Sequence, residues 1–391
     1  VKRIGILGFP IGPGGVIQYA ESMFNAFAIN GGKEYILFLL KGDNRYDGLK
    51  LEKRKVDMLG KKQLFPHIMR FVLRVNLLSL LPRDISSKLS FSQEEIGSYQ
   101  DIDLFVSPVP CFYPHYFLKK PYIMTVHDFQ EKYFPEFFTI KERIIRYIIN
   151  KFSIKYSTHI ITESKYVKKD IINFYNYDPK KVSVLPSPPP MGFMAKRYSK
   201  KNLNIIKRKY KLPNCYIFYP AQYWYHKNHI RLLEAFKLMT NRYGKLYLVL
   251  TGSKENNYKN IVRKIEELGL RDNVIQLGYI EYADLPGLYM MSRMLIMPTL
   301  FESISMPIYE AFMLKVPVCC SNVVSLPEQV GGAGLLFNPK DPSDIAEKAL
   351  ALLDDEKLRG ELAEKGYKKV IDYNHKSYAE KLKKIINEAK A

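Results

Sequence analysis

Residues 299–322 read TLFESISMPIYEAFMLKVPVCCSN, and their pattern decides the fold. The run Arg293–Pro298 (RMLIMP) just before them is short, apolar and bounded by polar residues, as a buried strand is. Phe301–Met306 then reads as a loop, and Pro307 suits the first position of a helix, where its missing N–H costs nothing. A second apolar run, Pro317–Cys320, follows. Strand, loop, helix and strand in this order make one unit of a parallel sheet, and strands apolar throughout imply a sheet covered on both faces. Within the unit stand Glu302, in the loop, and Glu310, in the expected first turn of the helix. Free amides at a helix start attract anions. Carboxylates at those two places suit a diphosphate ligand with hydroxyl-rich groups at both ends; they equally suit a solvated helix with an acidic first turn.

The same alternation extends outward from this unit. Expected strands are Arg3–Leu7, Tyr35–Leu40, Leu104–Val106, Tyr122–Val126, His159–Thr162 and Val182–Leu185, with helices at Gly15–Ala28, Lys141–Ser157 and Ser164–Phe174. The proline-dense LPSPPPMG (185–192) marks a domain boundary. Strands then recur at Tyr216–Tyr219, Leu246–Leu250, Val274–Leu277, Met294–Met297 and Pro317–Cys320. Helices at Asn228–Thr240, Tyr258–Leu268, Leu285–Met291 and Pro307–Leu314 separate them. The expectation is an α/β protein of two doubly wound, Rossmann-like domains facing across a cleft, 1–188 and 189–365. A C-terminal helical segment, 366–391, packs back on the first domain. Ligands of such sheets bind at the carboxyl ends of the strands.

Composition bounds the function. A chain of 391 residues fits about two domains, and no run of about 18 apolar residues announces a spanning helix. VKRIGILGF reads as a strand rather than a signal peptide. Cys111, Cys215 and the adjacent Cys319 and Cys320 lack metal-ligand spacing and fit buried thiols in the cytoplasm. The net charge of +21 suits phosphorylated ligands, nucleic acid or an anionic membrane, and equally a lysine-rich genome with no functional meaning. No RNA-recognition or helix-turn-helix signature accompanies the many aromatics, so no nucleic-acid partner is expected. Residues 50–90, apolar with Arg70, Arg74 and Arg83 interspersed, read either as an interfacial helix or as an amphipathic helix on the sheet.

Three further stretches hold candidate site residues. Gly8, Gly12, Gly14 and Gly15 form a turn after the first strand, where backbone can approach a phosphate closely; the spacing is not a dinucleotide fingerprint. PYIMTVHDF ends a strand on His127 and Asp128, at the mouth of the sheet. YPAQYWYHKNHIRLLEAF places Gln222, Trp224, His226, Lys227, Asn228 and His229 between a strand and a helix, where Lys227 can neutralise a diphosphate. His226 and His229 lack a third ligand, and the Asp101-x-Asp103 pair falls at the amino end of a strand, so no metal is expected.

Together the glycine turn, TVHD, YPAQYWYHKNH, ESISMPIYEA and KVPVCCSNVVSLPEQVGGAGLLFNP resemble the family-4 retaining glycosyltransferases of the GT-B fold across nearly the whole chain. The likeness leans toward mannosyltransferase-like members that build O-antigen and other surface polysaccharides. It implies that His127, Lys227 and Glu302 are catalytic, with Lys227 on the donor diphosphate and Glu302 on the transferred sugar. It implies a donor site formed by Gly14, Gly15, Gln222, Lys227, Gly252, Tyr279, Ile280, Ser305, Met306, Pro307 and Glu310, the last accepting both ribose hydroxyls. Two features depart from the family pattern. Gln222 stands where an arginine is usual, and Ser303-Ile304-Ser305-Met306 replaces a glycine-rich segment.

The expected reaction is retaining transfer of a hexose, mannose foremost, from GDP-mannose or another nucleoside diphosphate sugar to a saccharide hydroxyl. A lipid-linked saccharide acceptor and an anionic membrane surface are the expected partners, with a cytoplasmic location peripheral to the membrane. A nucleotide-sugar 2-epimerase of the same fold and a non-catalytic nucleotide-sugar-binding protein are the alternatives.

Overall fold

The computed structural model describes residues 3–8, 15–56, 97–190, 193 and 198–390. Its chain divides into two compact units, one of Val1–Pro188 with His375–Ala391 and the other of Pro189–Asn374. Each unit holds one sheet in which every pairing is parallel.

The first sheet contains β1 (Ile4–Leu7), β2 (Tyr35–Leu40), β3 (Glu52–Val56), β4 (Leu104–Ser107), β5 (Tyr122–Thr125), β6 (His159–Thr162) and β7 (Val182–Val184). They lie in the order β3-β2-β1-β4-β5-β6-β7, with Ile4 registered between Tyr35 and Leu104. Around it run α1 (Gly15–Asn30), α2 (Tyr113–Leu118), α3 (Gln130–Tyr133), α4 (Ile140–Tyr156) and α5 (Lys165–Tyr175). β1, β4, β5 and β6 are buried at every position, which is why their sequences are apolar without alternation. The start of α4 is fixed by a capping box: Thr139 Oγ1 accepts from the Glu142 amide, and Glu142 accepts from the Thr139 amide.

The second sheet contains β8 (Tyr216–Pro220), β9 (Tyr247–Thr251), β10 (Val274–Gln276), β11 (Met294–Met297), β12 (Val318–Ser321) and β13 (Leu335–Phe337), ordered β10-β9-β8-β11-β12-β13. Its helices are α6 (Lys200–Lys209), α7 (His229–Arg242), α8 (Tyr258–Glu267), α9 (Leu285–Met291), α10 (Met306–Met313), α11 (Leu326–Val330), α12 (Pro342–Asp354) and α13 (Glu356–Val370). The last helix, α14 (His375–Lys390), belongs to the first unit and packs along α1, where Asn30 Nδ2 donates to the Ala379 carbonyl at 2.9 Å.

Two expectations need correction. The start of the 50–90 segment is not helical: Glu52–Val56 is the edge strand β3, disguised by its charged sequence EKRKV. An edge strand pairs on one side only and tolerates charges that an inner strand would not. The rest of that segment, residues 57–96, lies outside the described residues. The helix expected from Pro307 begins one residue earlier, with Ser305 as its N-cap.

Asp101 and Asp103 do sit at the amino end of β4, and their neighbours are arginines. The guanidinium of Arg54 donates to Asp101 at 2.6 and 2.7 Å, and Arg3 also pairs with it. Asp103 accepts from the Arg3 amide at 2.8 Å. These hydrogen bonds, the Arg54 pair foremost, hold the Asp101 carboxyl well below the usual carboxylate range. No described helix is long and apolar enough to cross a membrane.

Candidate active site

In the second unit the chain leaves β8 toward β9 and β10 on one side and β11 toward β12 and β13 on the other. The loops that follow β8 and β11 therefore flank a topological switch point, the place where doubly wound sheets bind ligands. Lys227 stands at the end of the first loop and Glu302 within the second. Their side chains meet, Lys227 Nζ donating to Glu302 Oε2 at 2.5 Å, each about one-fifth exposed.

Backbone contacts fix both partners. The Tyr219 hydroxyl donates to the Lys227 carbonyl at 2.8 Å from the floor of the sheet. The His226 carbonyl accepts from the Leu300 amide at 2.7 Å and from Thr299 Oγ1 at 3.1 Å. Asn228 adopts the left-handed conformation, φ 60°, which asparagine tolerates better than most residues. Its side-chain amide donates to the carbonyls of Pro298 and Pro339, each at 2.8 Å. The run HKNH is thus a rivet between loops as well as a source of charge.

Burial, followed by the Lys227 charge, lowers the imidazole pKa values of His226 and His229 to about 3, so both are neutral at pH 7. His229 lies against the rings of Tyr219 and Tyr223, centroids 4.8 and 4.9 Å away. Among the described residues no three His, Cys, Asp or Glu side chains gather as metal ligands.

Glu310 falls in the second turn of α10, not the first, because Met306 and Pro307 open the helix. Its carboxylate is buried at 4% exposure and accepts from the Tyr289 hydroxyl at 2.6 Å. Burial raises its pKa to about 7 against the opposing effect of that hydrogen bond. No side chain caps α10, so the first amides of the helix have no capping acceptor. Ser305 is buried, with its hydroxyl donating to Met297 Sδ at 3.0 Å and its amide to Gln329 Oε1 at 2.8 Å.

The remaining candidates of this unit lie on the neighbouring loops. Gln222 is exposed and its Oε1 accepts from Trp224 Nε1 at 2.9 Å. Gly252 has φ 142°, and a Cβ there would stand 2.4 Å from the Ala221 carbonyl oxygen, so only glycine fits. Its amide donates to the Gly278 carbonyl at 2.9 Å, tying the loops after β9 and β10 together. The next two residues diverge: Tyr279 is 85% exposed and Ile280 is buried.

In the first unit His127 follows β5, with 15% of its side chain exposed. Nδ1 lies 3.0 Å from Glu163 Oε2 and Nε2 lies 2.9 Å from the Pro108 carbonyl. The other Glu163 oxygen accepts from Ser187 Oγ at 2.6 Å. The Tyr19 ring packs edge-on to the imidazole at 4.7 Å. An imidazole between two acceptors is best satisfied with both nitrogens protonated. Burial opposes that charge, but the Glu163 hydrogen bond and charge outweigh it and raise the His127 pKa. Glu163→Gln is expected to lower the His127 pKa, read by NMR titration of labelled histidine. An unchanged titration would show that Glu163 does not hold the charge. Asp128 turns elsewhere, accepting from Arg146 Nη2 at 2.8 Å and from the Gln130 amide at 3.1 Å. Gly15 opens α1, while Gly14 lies outside the described residues.

Sequence reasoning missed Tyr289, Gln329, Glu163 and Ser187. Glu163 carried a usable signal, an acidic residue closing the apolar run HIIT. Tyr289 reaches the site from α9, whose sequence shows only packing, and Gln329 from α11, whose LPEQV lies within a stretch that carries the family resemblance.

Comparison with known proteins accords with this architecture. Residues 13–188 match the family described as Glycosyltransferase Family 4, and residues 201–369 match Glycosyl transferases group 1. The O-antigen chain mannosyltransferase B of Escherichia coli is 28% identical over 70% of this chain and 71% of its own length. The O-antigen chain mannosyltransferase RfbU of Salmonella typhimurium is 27% identical over 56% of this chain and 57% of its own. The crystal structure of Anabaena Alr3699/HepE in complex with UDP and glucose superposes with a TM-score of 0.75 at 15% identity, covering 99% of this chain and all of that one. The fold is GT-B, and the chain, with a Family 4 region followed by a group 1 region, belongs to the glycosyltransferases.

Proposed function

We propose that the chain transfers a hexose, mannose foremost, from a nucleoside diphosphate sugar to a hydroxyl of a saccharide acceptor, with retention, in surface-polysaccharide synthesis. The observation that carries this reading is the Lys227–Glu302 ion pair at the switch point of the second sheet, beside the uncapped start of α10. The named mannosyltransferase relatives favour mannose, and GDP-mannose is the first donor to test.

In this reading Lys227 and the amides of Met306 and Ile308 hold the diphosphate, whose negative charge grows as the glycosidic bond breaks. Glu302 receives hydroxyls of the sugar, and Glu310 receives those of the ribose. Gln222, Gly252, Tyr279 and Ile280 line the base, while Ser305 shapes the loop. The family resemblance also assigns Gly14, Gly15 and His127 of the first unit a part in the reaction. The bond from the anomeric carbon to the leaving phosphate oxygen breaks as the acceptor oxygen bonds on the same face. The acceptor proton passes to the departing phosphate oxygen, so no protein base is consumed. An ion-paired Glu302 is a poor nucleophile, which favours this one-face route over a covalent sugar–enzyme intermediate.

The positive net charge supports an acceptor carried on an anionic membrane surface, a lipid-linked saccharide at its cytoplasmic face. A panel of GDP-mannose, UDP-glucose and dTDP-rhamnose, scored by thermal shift and slow sugar release, tests the donor half without an acceptor. One donor is expected to raise the melting temperature and release free sugar. Binding without release points to a non-catalytic binder, release of a 2-epimerised sugar points to an epimerase, and no binding by any donor ends the reading.

A further inference from the structure

The segment between Glu302 and α10 is Ser303-Ile304-Ser305, with no glycine. Backbone geometry explains how serine is tolerated. Ser305 has φ −117° and ψ 109°, an extended conformation open to any residue. Its side chain has a place too, since the hydroxyl is seated on Met297 Sδ at the end of β11. What holds the segment in register comes from elsewhere. The Gln329 carboxamide, on α11, accepts from the Ser305 amide through Oε1 at 2.8 Å and donates to the Ser305 carbonyl through Nε2 at 2.7 Å. Both residues are buried, at 6% and 1% exposure, so water does not compete for these bonds.

One side chain here pairs with both polar groups of one residue, as a neighbouring strand would. We infer that Gln329 is a positioning residue for the donor loop, clasping Ser305 so that Glu302 and the first amides of α10 are held ready for the donor. The inference rests on the proposed donor role of this loop. Three consequences follow from the geometry. The Ser305 amide is occupied, which leaves Met306 and Ile308 as the next amides, Pro307 having none. Glu302 is three residues from the clasp, so its approach to Lys227 depends on the same anchor. The anchor itself sits on a helix entered through Val324, a β-branched residue at φ 52°. Such a residue is held there only where its surroundings overdetermine the turn.

The test uses the full chain with Gln329→Met, which keeps an unbranched side chain and removes both bonds, and Gln329→Glu. In Gln329→Met, hydrogen exchange at the Ser305 amide is expected to rise at least about tenfold, since two buried hydrogen bonds are lost. Donor KM should rise about five- to twentyfold while kcat changes less than about threefold, the pattern of lost ground-state positioning. Gln329→Glu reproduces the clasp only when protonated, because the ionised form sets two acceptors against the Ser305 carbonyl. The ratio of its KM to the wild-type KM at the same pH should therefore fall toward one as pH drops from 8 to 6. A lower melting temperature with Ser305 exchange and donor KM unchanged would overturn the inference and leave Gln329 a packing residue. Exchange is read without any donor, so a failure of the proposed function in the donor panel is distinguishable from a failure of the clasp.

Discussion

Lys227→Ala is expected to lower donor kcat/KM by about two to three orders of magnitude, the usual effect of removing one preorganised group facing developing charge. Two losses combine. The ammonium no longer opposes the negative charge growing on the diphosphate. Glu302, paired with it at 2.5 Å, loses that cation, and its negative charge then opposes the donor. Both kcat and KM therefore change, and the Lys227→Ala/Glu302→Ala double variant should fall short of the product of the two single losses, because the two residues touch. Lys227→Arg should recover part of the activity, since it keeps charge but changes geometry. Steady-state kinetics with the donor chosen by the panel checks this. A Lys227→Ala enzyme with wild-type kinetics would remove Lys227 from the site.

Glu310→Gln is expected to act in opposite directions on stability and on donor binding. The Glu310 pKa is raised by burial from its ordinary value of 4.5 to about 7. A carboxyl raised in the folded state contributes stability that is fully present below pH 4.5 and is lost as pH climbs through 7. Above pH 7 the folded protein carries a buried anion with one tyrosine donor, at a cost of roughly 3 kcal/mol. Glutamine keeps an acceptor for the Tyr289 hydroxyl without the charge, so the variant should melt higher than wild type at pH 8 and close to it at pH 5. Donor KM should rise about tenfold or more at pH 8, because ribose hydroxyls bond a carboxylate more strongly than an amide. Wild-type donor KM should likewise rise as pH falls below 7 and Glu310 takes up its proton, while the glutamine variant loses that dependence. Equal melting curves at pH 8, or a donor KM blind to pH in wild type, would show that Glu310 is not the titrating acceptor.

Such an arrangement explains which parts of the site could be read from sequence. The strands were legible because a doubly wound sheet writes itself as apolar runs such as IGIL, YILFLL and MLIM. β3 was illegible for the converse reason, that an edge strand carries charges. Lys227 and Glu302 stand in loops at the carboxyl ends of their strands, so their places followed from the alternation alone. Their direct pairing did not, because each could have been assigned a ligand of its own. The environment of Glu310 was hidden more deeply. Its partner Tyr289 comes from α9, a helix 21 positions earlier with no motif of its own. Gln329 likewise answers Ser305 from 24 positions away. Sequence spacing shows which residues share a loop, whereas a hydrogen-bond partner across the sheet appears only once the chain has folded.

The Asn228 side chain carries one more consequence, for how the second unit assembles. Its two bonds reach Pro298 and Pro339, 70 and 111 positions along the chain. Closing loops of that length is slow and entropically unfavourable until the strands between them have paired. The Asn228 anchor therefore closes only when the ends of β11 and β13 are both in place. A fragment ending before Pro339 should keep Lys227 and Glu302 but lose one of the two bonds that anchor Asn228. A nucleotide ligand, in turn, should delay unfolding of the entire unit rather than merely stiffen the loops it touches.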